Sequence, residues 1–185
     1  IHVLDSIGME RILKKDLEIT KYAVEKMQSY NDIFIYGEIN NKDSMRAGTI
    51  AFNILDMDHG LVAAILNDYF NIAVRNECFC AHPYVENMLH ATHEKEIDQL
   101  DCLDNHLNWK VEPWMGMVRA SIGLYTTKED IDTLISALSN IIKNKNSLSE
   151  KYIINSDGDY QHKEFQFSSK DYFSLTATID RDIIS

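Results

Sequence analysis

From Met9 to Gln28, apolar residues at Met9, Leu13, Leu17, Val24 and Met27, joined by Ile12 and Ala23, return at the helical period with lysines and glutamates between them. This pattern predicts an amphipathic helix. "DIFIYG" (Asp32–Gly37) and "GTIAFNI" (Gly48–Ile54) are short and rich in β-branched and aromatic residues, so they predict two strands, with the polar "EINNKDSMRA" as the loop between them. Asp58 is placed to cap a helix from His59 to about Phe70, with Leu61, Ala64, Ile65 and Tyr69 on one face. Asn71 suits the left-handed residue that ends such a helix. "IAVR" (Ile72–Arg75) predicts another short strand, and "MVRASIGLY" (Met117–Tyr125) one more. Between them, "MLHATHEKEIDQLDCLDNHLNWKVEP" is polar and irregular apart from a helix expected around Glu94–Leu103; residues 90–112 read as an insertion or lid. Thr127 and Asp130 form a capping box ahead of Ile131, Leu134, Ile135, Leu138, Ile141 and Ile142 at helical spacing. "KNKNSLSEK" (Lys143–Lys151) then predicts a linker, followed by strand-like pieces around the "SDGD" turn at Ser156–Asp159. The order helix, strand, strand, helix, strand, strand, helix predicts an α+β domain, with a small, mainly antiparallel sheet covered by helices.

Length and composition narrow the functional classes. A chain of 185 residues, 45% hydrophobic and 25% charged, can bury one sizeable core, so one domain is expected. Its net charge of −11 opposes a nucleic-acid partner, which needs a clustered basic surface. No apolar run approaches the ~20 residues that span a bilayer, and the N-terminus lacks the basic start and apolar centre of a secretory signal. No membrane partner and a cytoplasmic location are therefore expected. Three cysteines, an odd number, do not make a disulfide framework and predict reduced thiols. A start on Ile1 rather than methionine suggests a fragment or a processed product.

The chemistry-bearing residues concentrate in "NIAVRNECFCAHPYV" (Asn71–Val85). A cysteine acts as a nucleophile only as its thiolate, whose charge Arg75 or His82 could stabilise. Arg119, between Val118 and Ala120 on a strand, needs either a buried acidic partner or a ligand, and a planar guanidinium grips a carboxylate through two parallel hydrogen bonds. Cys78, Cys80, His82, His90, His93, Cys102 and His106 together could supply zinc ligands, although the C-x-C-x-H spacing matches the usual pairs only at its outer members. His59 reads as a surface or capping residue, and Trp109, Trp114 and Tyr125 as core.

Taken together, "GTIAFNI", "HGLVAAILNDYFNIAVR", "CFCAHPY" and "VRASIGLYTTKEDIDTLISAL" resemble the small C-terminal domain of the class V aminotransferase family of pyridoxal-phosphate enzymes, in the branch of cysteine desulfurases and selenocysteine lyases. The resemblance covers about Met9 to Ile142. It implies the small domain of a fold type I enzyme, over residues 1–143, with 144–185 as a C-terminal tail or short strand extension. It also implies a homodimer with an active site between large and small domains. In that branch a small-domain cysteine takes sulfur from a cysteine substrate held on the cofactor, leaving alanine. Matched by position, the nucleophile falls on Cys80, with Cys78 two residues too early, and the arginine that pairs with the substrate carboxylate falls on Arg119. The cofactor-attachment lysine, the stacking histidine and the carboxylate facing the ring nitrogen belong to the family's large domain, so this chain alone is expected to be inactive. "QHK" (Gln161–Lys163) lies in the wrong order to replace them and reads as a solvated tail.

Two departures shape the alternatives. Asn76 and Glu77 stand where the family has serine or threonine and then glycine, and the stretch from Cys80 to Arg119 is longer than in compact desulfurases. The first departure favours a class V transaminase or lyase that uses Arg119 and an amino-acid substrate but not the cysteine. A non-catalytic domain that binds a partner or zinc is the alternative of a different kind.

Overall fold

The computed structural model describes residues 2–37, 39, 48–89 and 116–165. The expected Glu94–Leu103 helix, the 90–112 insertion and Trp109 and Trp114 lie outside them. A short helix α1 (His2–Ile7) precedes Gly8, whose φ of 93° turns the chain into α2 (Met9–Met27). The amphipathic stripe of α2 is buried only in its second half, at Ile19, Ala23, Val24 and Met27. Met9 and Leu13, expected on the same buried face, are exposed, and the described contacts of these first turns are polar, from Lys15 Nζ to Leu124 O and from Gly48 N to Asp16. Strands β1 (Ile33–Ile35) and β2 (Thr49–Ile54) pair antiparallel, and β2 pairs antiparallel with β3 (Val118–Ser121) in the order β1-β2-β3. Helix α3 (His59–Phe70) separates β2 from the cysteine segment. Asp58 caps it, accepting from the Gly60 and Leu61 amides, and Asn71 closes it in the left-handed conformation, φ 53°. These are the two boundaries anticipated by side-chain chemistry.

"IAVR" departs from expectation. It forms no strand: only Arg75 meets the sheet, through an isolated antiparallel bridge to Arg119. The left-handed Asn71 and the bond from Ile72 N to Leu66 O bring the chain off α3 late, and the turn that begins at Glu77 takes it away again, so there is room for one rung. "MVRASIGLY" is likewise shorter than predicted. The strand stops at Ser121, because Gly123 N donates to Thr126 Oγ1 and the chain turns toward the next helix, leaving Tyr125 86% exposed rather than in the core.

Alternation across the sheet makes two faces. Ile33, Ile35, Ile50, Phe52, Ile54, Val118 and Ala120 point to the main core, where α2, α3 and α5 (Lys128–Lys143) cover them. On the other face, Tyr36 and Met117 make a smaller cluster with Val85, against which Phe34, Ala51, Cys78 and Phe79 also pack. Val85 comes from a helix whose described part covers 82–89 (α4). Thr127 and Asp130 form the anticipated capping box of α5.

The predicted linker is instead a helical turn, α6 (Lys145–Ser149), with Leu148 in the main core. Lys145 Nζ donates to Asp32 Oδ1 at 2.9 Å and to Leu55 O at 2.7 Å, tying the turn to the ends of β1 and β2. A hairpin, β4 (Tyr152–Ile154) and β5 (Tyr160–His162), turns at Asn155–Asp159 as the "SDGD" turn predicted. His162, expected in a solvated tail, is buried. Its Nε2 lies 2.8 Å from Tyr69 Oη, and its Nδ1 accepts from the Phe165 amide at 2.9 Å and the Glu164 amide at 3.2 Å. Tyr152 donates to Asp68 Oδ2 at 2.9 Å, and burial pushes its hydroxyl far above the ordinary range. These contacts seat the hairpin on α3.

Candidate functional site

Arg119 and the cysteine loop meet on the face of the sheet turned away from the main core. Arg119 sits opposite Ala51 of β2, and on its other side exchanges backbone hydrogen bonds with Arg75, at 3.1 and 2.7 Å. Cross-strand partners share a face, so the bridge sets two guanidinium groups on adjacent rows. Among the described residues no carboxylate forms an ion pair with either. Arg75 is exposed; Arg119 is half-buried, and its Nε is fully covered with no hydrogen-bond partner. Buried donors are normally paired, so the bare, covered Nε sets Arg119 apart on this face of the sheet.

The turn 77–80 lies across the start of β3. Met117 N donates to Glu77 O at 3.0 Å, and Gly116 passes so close that a side chain there would collide with the Glu77 backbone. Asn53 holds the same junction from β2: its Nδ2 donates to Gly116 O and Tyr36 Oη, both at 3.1 Å, and its Oδ1 accepts from Val118 N at 3.3 Å. Within the turn, Glu77, Phe79 and Cys80 all have positive φ, 78°, 52° and 63°. The glycine-to-glutamate departure therefore does not abolish the glycine-favouring conformation; Glu77 adopts it, at a cost of roughly 1–2 kcal/mol for an L-residue.

The two cysteines are differently placed. Cys78 is partly buried against the Tyr36–Val85–Met117 cluster, and burial, reinforced by the charges of Glu77 and Glu86, raises its thiol pKa above the ordinary value. Cys80 is exposed at the end of the turn. His82 is exposed in the first turn of α4. The Phe79 ring lies under Arg119, 4.9 Å from its Cζ. Behind the loop His59 is half-buried, with Nδ1 3.3 Å from Asn76 Nδ2. Burial lowers its pKa, against the opposing pull of Asp58 and Glu77. The family resemblance singled out Cys80 and Arg119, residue type added Arg75, and all three lie on the cysteine loop or the strand bridged to it. Sequence reasoning missed Phe79 and Asn53; the only available signal for Asn53 was a polar amide in an apolar strand.

A sequence profile described as aminotransferase class-V matches residues 1–134. The chain belongs to that family. Among curated class-V relatives, a probable cysteine desulfurase of Staphylococcus epidermidis (strain RP62A) is 30% identical over 142 residues, covering 75% of this chain and 27% of the relative. One of Staphylococcus aureus (strain N315) is 33% identical over the same span. The chain thus spans about a quarter, 27%, of the length of these relatives. Among solved structures, the apo cysteine desulfurase from Thermococcus onnurineus NA1 superposes with a TM-score of 0.54 at 26% identity, over 76% of this chain and 28% of that one. A cysteine desulfurase from Escherichia coli gives 0.50 at 17%, over 71% and 25%, and speaks for the fold alone.

Pyridoxal phosphate is the cofactor implied by class-V membership, and the described residues do not fit it as a seat. Every described lysine lies on α2, α5, α6 or beside the hairpin, none on the elements carrying Arg75, Cys80 and Arg119. For the zinc alternative, no group of three or more His, Cys, Asp or Glu converges among the described residues, and His90, His93, Cys102 and His106 lie outside them. No described helix is long and apolar enough to cross a membrane.

Proposed function

We propose that this chain is the small domain, residues 1–143 with the 144–185 extension, of a fold type I pyridoxal-phosphate enzyme that acts on cysteine as a desulfurase. The rest of the cofactor site comes from a large domain, and the working form is a homodimer. Arg119 grips the substrate carboxylate, and the Cys80 thiolate takes the sulfur: a new S–S bond forms on Cys80 Sγ as the substrate C–S bond breaks, the electron pair of that bond passes to the carbon, and the skeleton, protonated there, leaves as alanine. The bound cofactor would supply the electron sink for that bond cleavage.

The observation that carries the reading is the junction itself. The Arg75–Arg119 bridge and the Glu77–Met117 bond fix the cysteine turn against the strand bearing Arg119, whose covered Nε has no hydrogen-bond partner among the described residues. An exposed thiol on a turn bonded to the arginine's strand suits an amino acid whose side chain is attacked while its carboxylate is held. In the full-length enzyme, Cys80→Ala is expected to abolish alanine release from cysteine with cofactor absorbance unchanged; undiminished alanine release would reject the role given to Cys80.

A class-V transaminase or lyase that leaves Cys80 idle is the second reading, and Glu77 in the glycine position is what favours it. Amino transfer to a keto acid without sulfide release would select it. Against it stands the left-handed Glu77, which keeps the loop in the conformation glycine favours.

A further inference from the structure

Phe79 is not part of the chemistry just described, yet it is the described residue stacked on the arginine that is. We propose that Phe79 is a positioning residue: its ring holds the Arg119 guanidinium in the orientation that receives a substrate carboxylate, and so ties carboxylate recognition to the turn that carries Cys80. The inference rests on the reading of Arg119 as the carboxylate anchor.

Three observations support it. The Arg119 Cζ lies 4.9 Å from the Phe79 ring centroid, within the range of a cation–π contact. Arg119 Nε is covered and unpartnered, so the guanidinium is held without any of its fixing coming from a bond at that nitrogen. Phe79 itself is pinned: its φ is 52°, its ring packs on the Tyr36–Val85–Met117 cluster, and flanking Glu77 and Ala81 are fixed by the bonds Met117 N to Glu77 O and Ala81 N to Cys78 O, at 3.0 and 2.7 Å.

The geometry explains why stacking helps rather than competes. A guanidinium donates its hydrogen bonds in its own plane, and its attraction to the ring uses none of those donors. The contact restricts the long side chain without using its donors, and with Nε covered the two parallel bonds to a carboxylate fall to the Nη groups. A carboxylate held there needs less of the side chain's freedom to be lost on binding. Because Cys80 follows Phe79 directly, any shift of the turn moves the thiol and the ring under Arg119 together.

The test uses the full-length holoenzyme and calorimetric affinities for L-alanine and for ethylamine, the same amine without its carboxylate. Phe79→Leu is expected to weaken L-alanine about tenfold, the scale of a lost cation–π contact, and to leave ethylamine within twofold. Phe79→Tyr, which keeps the ring, is expected to stay within about twofold of wild type for both ligands. Equal weakening of both ligands by Phe79→Leu, or a Phe79→Tyr variant as impaired as Phe79→Leu, overturns the positioning role. Arg119→Ala separates the two levels: it should erase the advantage of L-alanine over ethylamine, and retention of that advantage would refute the Arg119 assignment itself, and the Phe79 role with it. Loss of the advantage in Arg119→Ala but not in Phe79→Leu would refute Phe79 alone.

Discussion

Replacing Glu77 by glycine should make the protein more stable. Glu77 holds φ at 78° with an exposed side chain, and its structural bond to Met117 uses the backbone carbonyl, which glycine retains. The substitution relieves roughly 1–2 kcal/mol of left-handed strain. Against this stands roughly 0.5–1 kcal/mol of extra unfolded-chain entropy. The balance is a gain of about 0.5–1 kcal/mol, which for a chain of this size raises Tm by about 2–3 °C. Thermal unfolding of wild type, Glu77→Gly and Glu77→Ala measures it. Alanine keeps the Cβ and the strain, so it should unfold close to wild type. A Glu77→Gly variant less stable than wild type, or an alanine variant that gains as much as glycine, would refute the strain argument; the second outcome would put the cost in the charge instead. The same substitution removes one of the charges that raise the Cys78 thiol, so Cys78 alkylation should begin at lower pH, with burial still holding it above an ordinary thiol.

Gly116→Ala is expected to cost about 2 kcal/mol or more in denaturant unfolding, because its new Cβ collides with backbone that cannot rotate away, and to displace the cysteine turn; a cost under about 0.5 kcal/mol would show that the junction is slack. His59 gives the pH prediction. Burial lowers its folded pKa below the ordinary histidine value of 6.5, so its neutral form contributes stability above pH 6.5 that is lost as pH falls through the folded value. Wild type should therefore lose stability on acidification below that point more steeply than His59→Gln; parallel stability curves would contradict the burial argument. The isolated chain mixed with pyridoxal phosphate should develop no lysine-linked absorbance band like that of the complete enzyme, and such a band would mean that a lysine of this chain does reach the cofactor.

The elements announced by periodicity and caps were the legible ones. Asp58, Asn71, Thr127 and Asp130 fixed the ends of α3 and the start of α5 through local hydrogen bonds that depend on neighbours in sequence, and the structure has all of them. Pairing was less legible. "IAVR" has the composition of a strand, but one rung forms, because the limit is set by where Asn71 releases the chain and Glu77 turns it. Composition misled at "KNKNSLSEK", where a single Leu148 in the core orders a polar segment, and at His162, whose burial depends on Tyr69 and Asp68-bound Tyr152, far away in sequence. At the site, the resemblance pointed to Cys80 and residue type supported Arg119, while the contact of Phe79 with Arg119 and the amide clamp of Asn53 depend on which strands lie side by side. No local pattern carries that information.

The central claim is that Cys80 receives sulfur, and mass spectrometry of the full-length enzyme after brief exposure to L-cysteine tests it most directly. One added sulfur atom is expected on the peptide bearing the turn, located at Cys80, absent from Cys78, and lost in Cys80→Ala. Release of alanine and sulfide with no sulfur ever found on Cys80 would contradict it.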